Sequence, residues 1–505
     1  MKSFGLVTRR SRSSSKTNHQ SKEYAPPVRG IFFMKSLTYI LVGVFLTGCA
    51  TYYQRNVHFQ SLVNQGSLDK AESYLEGDKK MKKEKNRVLF LLNMGFINHM
   101  QQDFEESNRY FNEADLAIED FQKNYAREAL ALITNPEVKP YRVEDFENVM
   151  IHYYKAINYL SLRQFESSLV EARRMNLLLD RMNDKYKDHK NRYQADAFAH
   201  LIMGISYEAS GMINDAFIAY RNAYNVFNGE HGYFGIEVPL QLKKDILRTA
   251  AHVGLGSEVA YYEKEFGMKS SPSNNEFGEA IILWQNGMGP VKDEFSIDFI
   301  AFDQGNGVVS FRNEELDLSI PYHYDDDSKR DRLLALQFIR VAFPKYLERP
   351  IYFNESWIEL DGAKFQLELI EDVNAIAFKT LEDRFLREIG VALSRLVLKK
   401  LTEIQLEEQH EVLGALATVT NAVTEKADTR NWQTLPHSIH YARIALSQGD
   451  TEVILKLKSR DGGFHRAPFT FKGEKGAFFV QPYHNLEHLA AASWDKAATR
   501  NVKHN

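Results

Sequence analysis

Ala197-Phe198-Ala199-His200-Leu201-Ile202-Met203-Gly204-Ile205-Ser206-Tyr207-Glu208-Ala209-Ser210-Gly211-Met212-Ile213-Asn214-Asp215-Ala216-Phe217-Ile218-Ala219-Tyr220-Arg221-Asn222-Ala223-Tyr224 reads as two helices joined by a glycine turn. Apolar residues recur three and four apart on either side of Gly211, the period of an amphipathic helix. Gly204 and Ala216 are small where two helices must approach closely, and Tyr207 and Tyr220 are large enough to fill the space beside them. Gly211 makes the turn. The segment therefore encodes a helical hairpin.

The offsets of Gly204, Tyr207, Gly211, Ala216, Tyr220 and Ala223 are those of a tetratricopeptide repeat, a unit of about 34 residues and two antiparallel helices. Weaker copies precede it. Leu91, Gly95, Phe104, Ser107, Phe111 and Ala114 fit one frame, and His152, Ala156, Tyr159, Phe165, Ser168 and Ala172 fit another. A half-copy from Gly66 to Leu75 opens the array, and Leu240–Gly254 with Ser257–Phe266 closes it. Insertions separate the copies; one holds the Asn135–Pro140 loop, in which each Pro disfavours helix at the preceding residue. The expectation for residues 57–268 is a helical repeat domain, with an irregular bundle as the alternative. Such arrays present a concave groove to a protein partner. Helix positions facing that groove are Asn98, Asn158, Tyr159, His200 and Tyr207, each of which could equally pack against its neighbour.

Residues 269–277 are small, polar and broken by Pro272, which reads as a linker. Strand signals follow at Glu279–Trp284, Ser296–Phe302, Val308–Phe311, Gln337–Phe343, Lys364–Glu371, Ile439–Leu446, Val453–Leu457 and Ala477–Val480. Asp325-Asp326-Asp327 reads as a helix start, where carboxylates suit the helix dipole, because a calcium loop needs alternating ligands and a Gly that is missing. A long helix is expected over Asn374–Thr424, its Val412–Val423 end packed closely on a sheet. The fold class is α+β in two parts: an α-helical tetratricopeptide-like solenoid, then a mixed β-rich domain over 278–485 with inserted helices, and a tail over 486–505.

Met34-Lys35-Ser36-Leu37-Thr38-Tyr39-Ile40-Leu41-Val42-Gly43-Val44-Phe45-Leu46-Thr47-Gly48-Cys49 decides location. One Lys, an apolar run too short to span a bilayer and small residues before a cysteine make a processed signal. Leu46-Thr47-Gly48-Cys49 resembles the lipobox of bacterial lipoproteins. That resemblance implies a signal peptide over 34–48, cleavage before Cys49, lipid (including palmitate-type acyl chains) on Cys49, and a tether over 49–56. Ala50, rather than Asp, resembles lipoproteins sent to the outer membrane. Basic, Ser-rich Met1–Phe33 reads as an extension from a start assigned too far upstream, with a long signal n-region as the competing reading.

The 505 residues are 44% hydrophobic and 26% charged, with formal net charge −4, which offers nucleic acid no basic surface. A single Cys excludes an internal disulfide. No metalloprotease, hydrolase-elbow or phosphate-loop motif occurs, so no enzyme, catalytic residue, metal or cofactor is expected. His484 and His488 are four apart with Glu487 between them, but without a third ligand they read as solvated tail.

Asn286-Gly287-Met288-Gly289-Pro290-Val291-Lys292 and Asp428-Thr429-Arg430-Asn431-Trp432-Gln433-Thr434-Leu435-Pro436, downstream of a lipobox and tetratricopeptide-like helices, are similar to motifs of a family of largely uncharacterised bacterial lipoproteins. The resemblance implies an envelope location, with genes of the family often near small lipoproteins that activate peptidoglycan synthases. It brings no catalytic residues. Read from the residues, Asp428 and Arg430 form a salt-linked corner, Trp432 plugs the core and Pro436 turns the chain into the next strand; Lys292, Arg430 and Trp432 are also candidates for a ligand site. The expectation is an outer-membrane lipoprotein facing the periplasm, anchored through Cys49, that grips a protein partner in its helical groove and serves envelope assembly, with peptidoglycan or its synthesis machinery nearby. The alternative is a glycan-binding or hydrolytic site in the C-terminal domain.

Overall fold

A computed structural model describes residues 51–125, 139–185, 196–229, 232–271, 276–409 and 426–487. The expected extension, signal segment and Cys49 lie outside them, as do 135–138 of the Pro-bounded loop, 272–275 of the linker, the 412–423 run and the tail from 488. Helices come first: α1 (Tyr52–Arg55), α2 (Val57–Asn64), α3 (Leu68–Gly77), α4 (Arg87–Met100), α5 (Phe104–Tyr125), α6 (Asp145–Ser161), α7 (Phe165–Lys185), α8 (Ala197–Ala209), α9 (Ile213–Phe227), α10 (Leu240–His252) and α11 (Gly256–Phe266). Within the segment expected as a tether over 49–56, Tyr52–Arg55 is helical.

Successive helices pack as hairpins, α4 on α5, α6 on α7, α8 on α9 and α10 on α11, and each hairpin packs on the next. Their turns are built alike. Gly66, Gln102, Arg163, Gly211 and Gly254 are all left-handed. After each, an amide closes onto a carbonyl five residues back: Ser67 to Leu62, Asp103 to Asn98, Gln164 to Tyr159, Met212 to Tyr207 and Leu255 to Ala250. These bonds satisfy carbonyls that a helix end would leave unpaired. The helix crossings repeat too. A Cβ on Gly204 would lie 2.3 Å from the Tyr220 ring, and one on Gly95 2.7 Å from the Phe111 ring. Ala156 and Ala172, both fully buried, take the corresponding places in the α6–α7 hairpin.

The β part contains β1 (Glu279–Asn286), β2 (Val291–Gly305), β3 (Val308–Asn313), β4 (Leu318–His323), α12 (Asp327–Ala335), β5 (Phe338–Leu347), β6 (Phe353–Leu360), β7 (Ala363–Gln366), β8 (Glu368–Asp372), α13 (Val373–Gln409), β9 (Ser438–Ala445), β10 (Gly449–Ser459), β11 (Phe464–Gly473) and β12 (Phe478–Asn485). Asp326 caps α12, its carboxylate accepting from Lys329 N at 2.7 Å. Three four-stranded sheets form, ordered β12-β1-β9-β8, β11-β10-β6-β7 and β4-β3-β2-β5. In the first, β1 is parallel to β12 and antiparallel to β9.

Every residue of β1 is buried, because both faces of its sheet are covered. Ile281 and Leu283, with Ile439 and Tyr441 of β9, point into the core of the helical hairpins. Ala280, Ile282 and Trp284, with Ala442 and Ile444, point the other way, into a core shared with the second sheet. Strand alternation thus makes the first sheet the middle layer of three. The third sheet builds a separate core against α12 and α13 through Phe299, Val341, Ile389 and Leu393. The secondary structure changes from helix to strand at 269–277, yet one apolar core runs across that change. The architecture is α+β.

Candidate functional site

The two sequence motifs meet at the junction of the layers. Gly287 is left-handed at φ 58°, and Gly289 N donates to Leu435 O at 2.6 Å. A Cβ on Gly289 would lie 3.2 Å from the Leu435 and Pro436 carbonyls, a tight contact that glycine avoids. Asn431 bridges the motifs, donating from Nδ2 to Pro290 O and accepting from Lys292 N. Arg349, completely buried, donates to Gly289 O, Gln433 O and Gln60 Oε1. Burial brings its guanidinium down to about 9, which leaves it charged at neutral pH.

The N-terminus of α6 sits in the same junction. Glu144 caps the helix in a capping box with Glu147 and pairs with Lys292 and Arg384. Burial pushes the Glu144 carboxyl up, but the two cations outweigh it and hold it at about 2. Glu147 accepts from Trp432 N at 2.7 Å and from Tyr141 Oη; burial and the neighbouring Glu144 push it up to about 7. Trp432, 1% exposed, packs against Phe111 and Tyr154 at ring separations of 5.7 and 5.6 Å. Arg430 pairs with Asp428 at 2.6 Å and donates to the carbonyls of Lys85 and Lys139. Lys292, Arg430 and Trp432 therefore share one neighbourhood, but their polar atoms bind protein groups and none lines the cavity described below. Their geometry is that of a buried joint, not of a surface that faces a ligand.

One face of the helical hairpins is turned toward the first sheet. Gln285 of β1 accepts from Tyr154 Oη and donates to Tyr153 Oη; Phe96 packs on His484 of β12 at 5.5 Å. Arg443 of β9 pairs with Glu208 of α8 at 2.8 Å, Asp245 of α10 at 3.2 Å and Glu279 of β1, which locks helices to sheet. Asn98 and Asn158 are buried: Asn98 donates to Met94 O, and Asn158 bonds His99, Ser107 and Asn108. Tyr159, His200 and Tyr207 are half-buried, with Tyr207 under the Arg173 guanidinium. Asn98 and Asn158 thus pack within and between the helices, while the first sheet covers the helix surface that carries Phe96, Tyr153 and Tyr154. The reading of His484 is corrected. It lies in a strand, not in a solvated tail, and donates from Nε2 to Gly287 O at 2.6 Å; burial lowers it to about 3, so the ring is neutral. His488 lies outside the described residues. Among the described residues no group of three or more His, Cys, Asp or Glu could hold a metal, and no described helix is long and apolar enough to cross a membrane.

An open cleft of about 600 Å³ lies elsewhere, between α5, the start of α6 and α7. Ile118, Phe121, Tyr141, Leu177 and Leu178 provide apolar wall, and Leu177 is 53% exposed. Beneath the cleft lies a charge network that reaches it through Asp115, His152 and Arg174. Lys155, fully buried, lies 2.9 Å from Glu171 and 3.6 Å from Asp115; His152 Nδ1 lies 2.8 Å from Glu171, and Arg174 3.2 Å from Asp115. Burial pushes Glu171 up, but His152 and Lys155 bring it below the usual carboxylate range. Arg142 and Arg181 stand exposed at the cleft with no ion-pair partner among the described residues. Sequence reading missed this site, for which the signal was His152-x-x-Lys155 among the apolar and aromatic residues of α6.

No protein-family model matches the chain, and no curated protein matches it. Among solved structures, the apo form of RapI is 14% identical over 46% of this chain and 56% of its own, with a TM-score of 0.32. The match thus spans little more than half of RapI. MamA from Desulfovibrio magneticus RS-1, residues 41 to the end, is 15% identical over 44% of this chain and 93% of its own, with a TM-score of 0.26. Likeness at this level does not define a shared fold.

Proposed function

We propose that the protein is an outer-membrane lipoprotein facing the periplasm, a tetratricopeptide-like adaptor in cell-envelope assembly or maintenance whose partner is a protein segment held in the cleft between α5, α6 and α7. The observation that carries this reading is the cleft: aliphatic and aromatic walls beside Arg142 and Arg181, which are exposed and have no ion-pair partner among the described residues, while Asp115 and Glu171 already face Lys155 and Arg174. An extended segment with aliphatic side chains and acidic groups complements that surface. Attachment through Cys49 would confine the adaptor to the membrane and raise its effective concentration near partners there.

A photo-crosslinking residue at Leu177, followed by isolation from detergent-solubilised membranes, should capture one defined protein. That crosslink should vanish when Arg142→Glu and Arg181→Glu are combined. No crosslinked protein, or one indifferent to both substitutions, overturns the cleft assignment. Cys49→Ala should move the chain from the membrane fraction to the soluble fraction. The rival reading, a glycan-binding or hydrolytic enzyme, would prevail if purified protein cleaved peptidoglycan and lost that activity on Arg430→Ala.

A further inference from the structure

Lys79-Lys80-Met81-Lys82-Lys83-Glu84-Lys85-Asn86-Arg87 joins α3 to α4 and is the most basic stretch of the described chain. The fold holds the backbone of this loop firmly. The Asp78 carboxylate accepts from Lys80 N at 2.7 Å and from Met81 N at 3.3 Å. Met81, 4% exposed, lies against Tyr52, whose hydroxyl donates to its Sδ at 3.9 Å. At the other end Arg430 donates to Lys85 O at 2.6 Å. The fold leaves the charges themselves unused. Lys79, Lys80, Lys82 and Lys83 are exposed; Lys82 lies over the Phe90 ring, and none of the four forms an ion pair among the described residues.

The position of Tyr52 gives this loop its meaning. Tyr52 is buried, and its amide donates to Thr429 Oγ1 at 2.9 Å, which fixes this residue to the body of the protein. Cys49 is three residues earlier in the sequence, and an extended chain covers about 3.3–3.6 Å per residue, so its attachment point is within about 11 Å of Tyr52. That reach is comparable to the Debye length of about 8–10 Å at physiological ionic strength. Tyr52 Oη touches Met81 Sδ, so a lipid on Cys49 would enter the bilayer close to the loop that carries these lysines. A basic run is ordinarily a solvated face. Here it is a clamped one, beside the point of attachment.

We propose that the Lys79–Lys83 loop is the membrane-facing surface of the protein and binds the phosphate groups of anionic phospholipids next to the anchor. This inference rests on the reading that Cys49 carries lipid. Lysine is a compact, strongly hydrated point charge on a flexible stem, suited to a fluid array of phosphates and not to one fixed ligand.

The test uses the purified full chain mixed with vesicles of phosphatidylcholine alone, or of phosphatidylcholine with about a quarter phosphatidylglycerol. Flotation with phosphatidylcholine vesicles reads the anchor. An amine-reactive label followed by peptide mass spectrometry reads the loop. On anionic vesicles, labelling of Lys79, Lys80, Lys82 and Lys83 should fall about threefold or more, recover in about 0.5 M salt, and stay unchanged on neutral vesicles. Lys472 at the end of β11 and Lys475 in the turn after it, both exposed, serve as references. Equal labelling on both vesicles with intact flotation overturns the inference and leaves the anchor standing. Flotation only with anionic vesicles overturns the anchor and with it the placement of the loop beside it, and flotation with neither overturns both.

Discussion

Replacing Gly204 by Ala should destabilise this protein, although the same change in an open helix does the opposite. The new Cβ would stand 2.3 and 2.4 Å from Cε1 and Cδ1 of Tyr220, so the ring must retreat by about 1 Å to reach ordinary contact. It is not free to do so. Its hydroxyl donates to Glu208 at 2.8 Å and accepts from Arg443 Nη2 at 3.0 Å, inside the network that joins α8 and α10 to β9. Overpacking of this kind costs about 1–3 kcal/mol, and a pinned ring puts Gly204 at the upper end. The helix propensity of Ala returns about 1 kcal/mol, which leaves a net loss of about 2 kcal/mol. Gly390 is the control: it lies within α13 with nothing within 4 Å of its would-be Cβ, so Gly390→Ala should gain up to about 1 kcal/mol. Urea unfolding reads both as midpoint shifts in opposite directions. Adding Tyr220→Phe should reduce the cost of Gly204→Ala below the sum of the single changes, because the ring loses its tether. A Gly204→Ala midpoint equal to or above that of the parent would refute the close crossing.

Arg443→Met would leave Glu208, Asp245 and Glu279 buried around an apolar side chain; denaturant unfolding should show a loss of about 3–5 kcal/mol, and a loss under 1 would mean that the network does not join the layers. Trp432→Ala should cost about 3–5 kcal/mol through the cavity beneath Phe111 and Tyr154, read by the same method. Glu144 is held at about 2 rather than the ordinary 4.5, and Glu208, between Arg443 and Arg248, is held below it as well. A lowered carboxylate stabilises fully above its unfolded value and loses that contribution as pH falls through the folded one, so stability should drop between pH 4.5 and 2, by about 3 kcal/mol for Glu144. Thermal unfolding at stepped pH checks this, and Glu144→Gln should flatten the slope.

The hairpins were legible because their determinants are local. Apolar residues three and four apart place α8 and α9, and Gly204, Gly211 and Tyr220 already specify the turn and crossing that the structure contains. Two of the turns were harder to read, since Gln102 and Arg163 take the left-handed position without the glycine that normally announces it. The apolar run of β1 read as a strand, and alternation divides it into Ile281 and Leu283 on one side and Ala280, Ile282 and Trp284 on the other. Neither pattern says what covers each side.

That question is tertiary, and it changes the functional reading. Asn98 and Asn158 have the spacing of groove residues, but they are buried, Asn98 bonding its own helix and Asn158 the preceding hairpin at His99, Ser107 and Asn108. Tyr52 meets Thr429 across 377 residues, and Trp432 meets Glu147 across 285. By itself the sequence determined the helices, most strands, the hairpin crossings and a cysteine motif with the form of a lipid attachment site, because these depend on neighbours a few residues away. Only the tertiary structure decided that the helical face is filled from within, that Lys292, Arg430 and Trp432 form a joint, and that the open cleft lies between α5 and α7. An apolar or charged face is encoded locally, whereas its occupant is whichever distant surface fits it, and that complementarity exists only once the chain has folded.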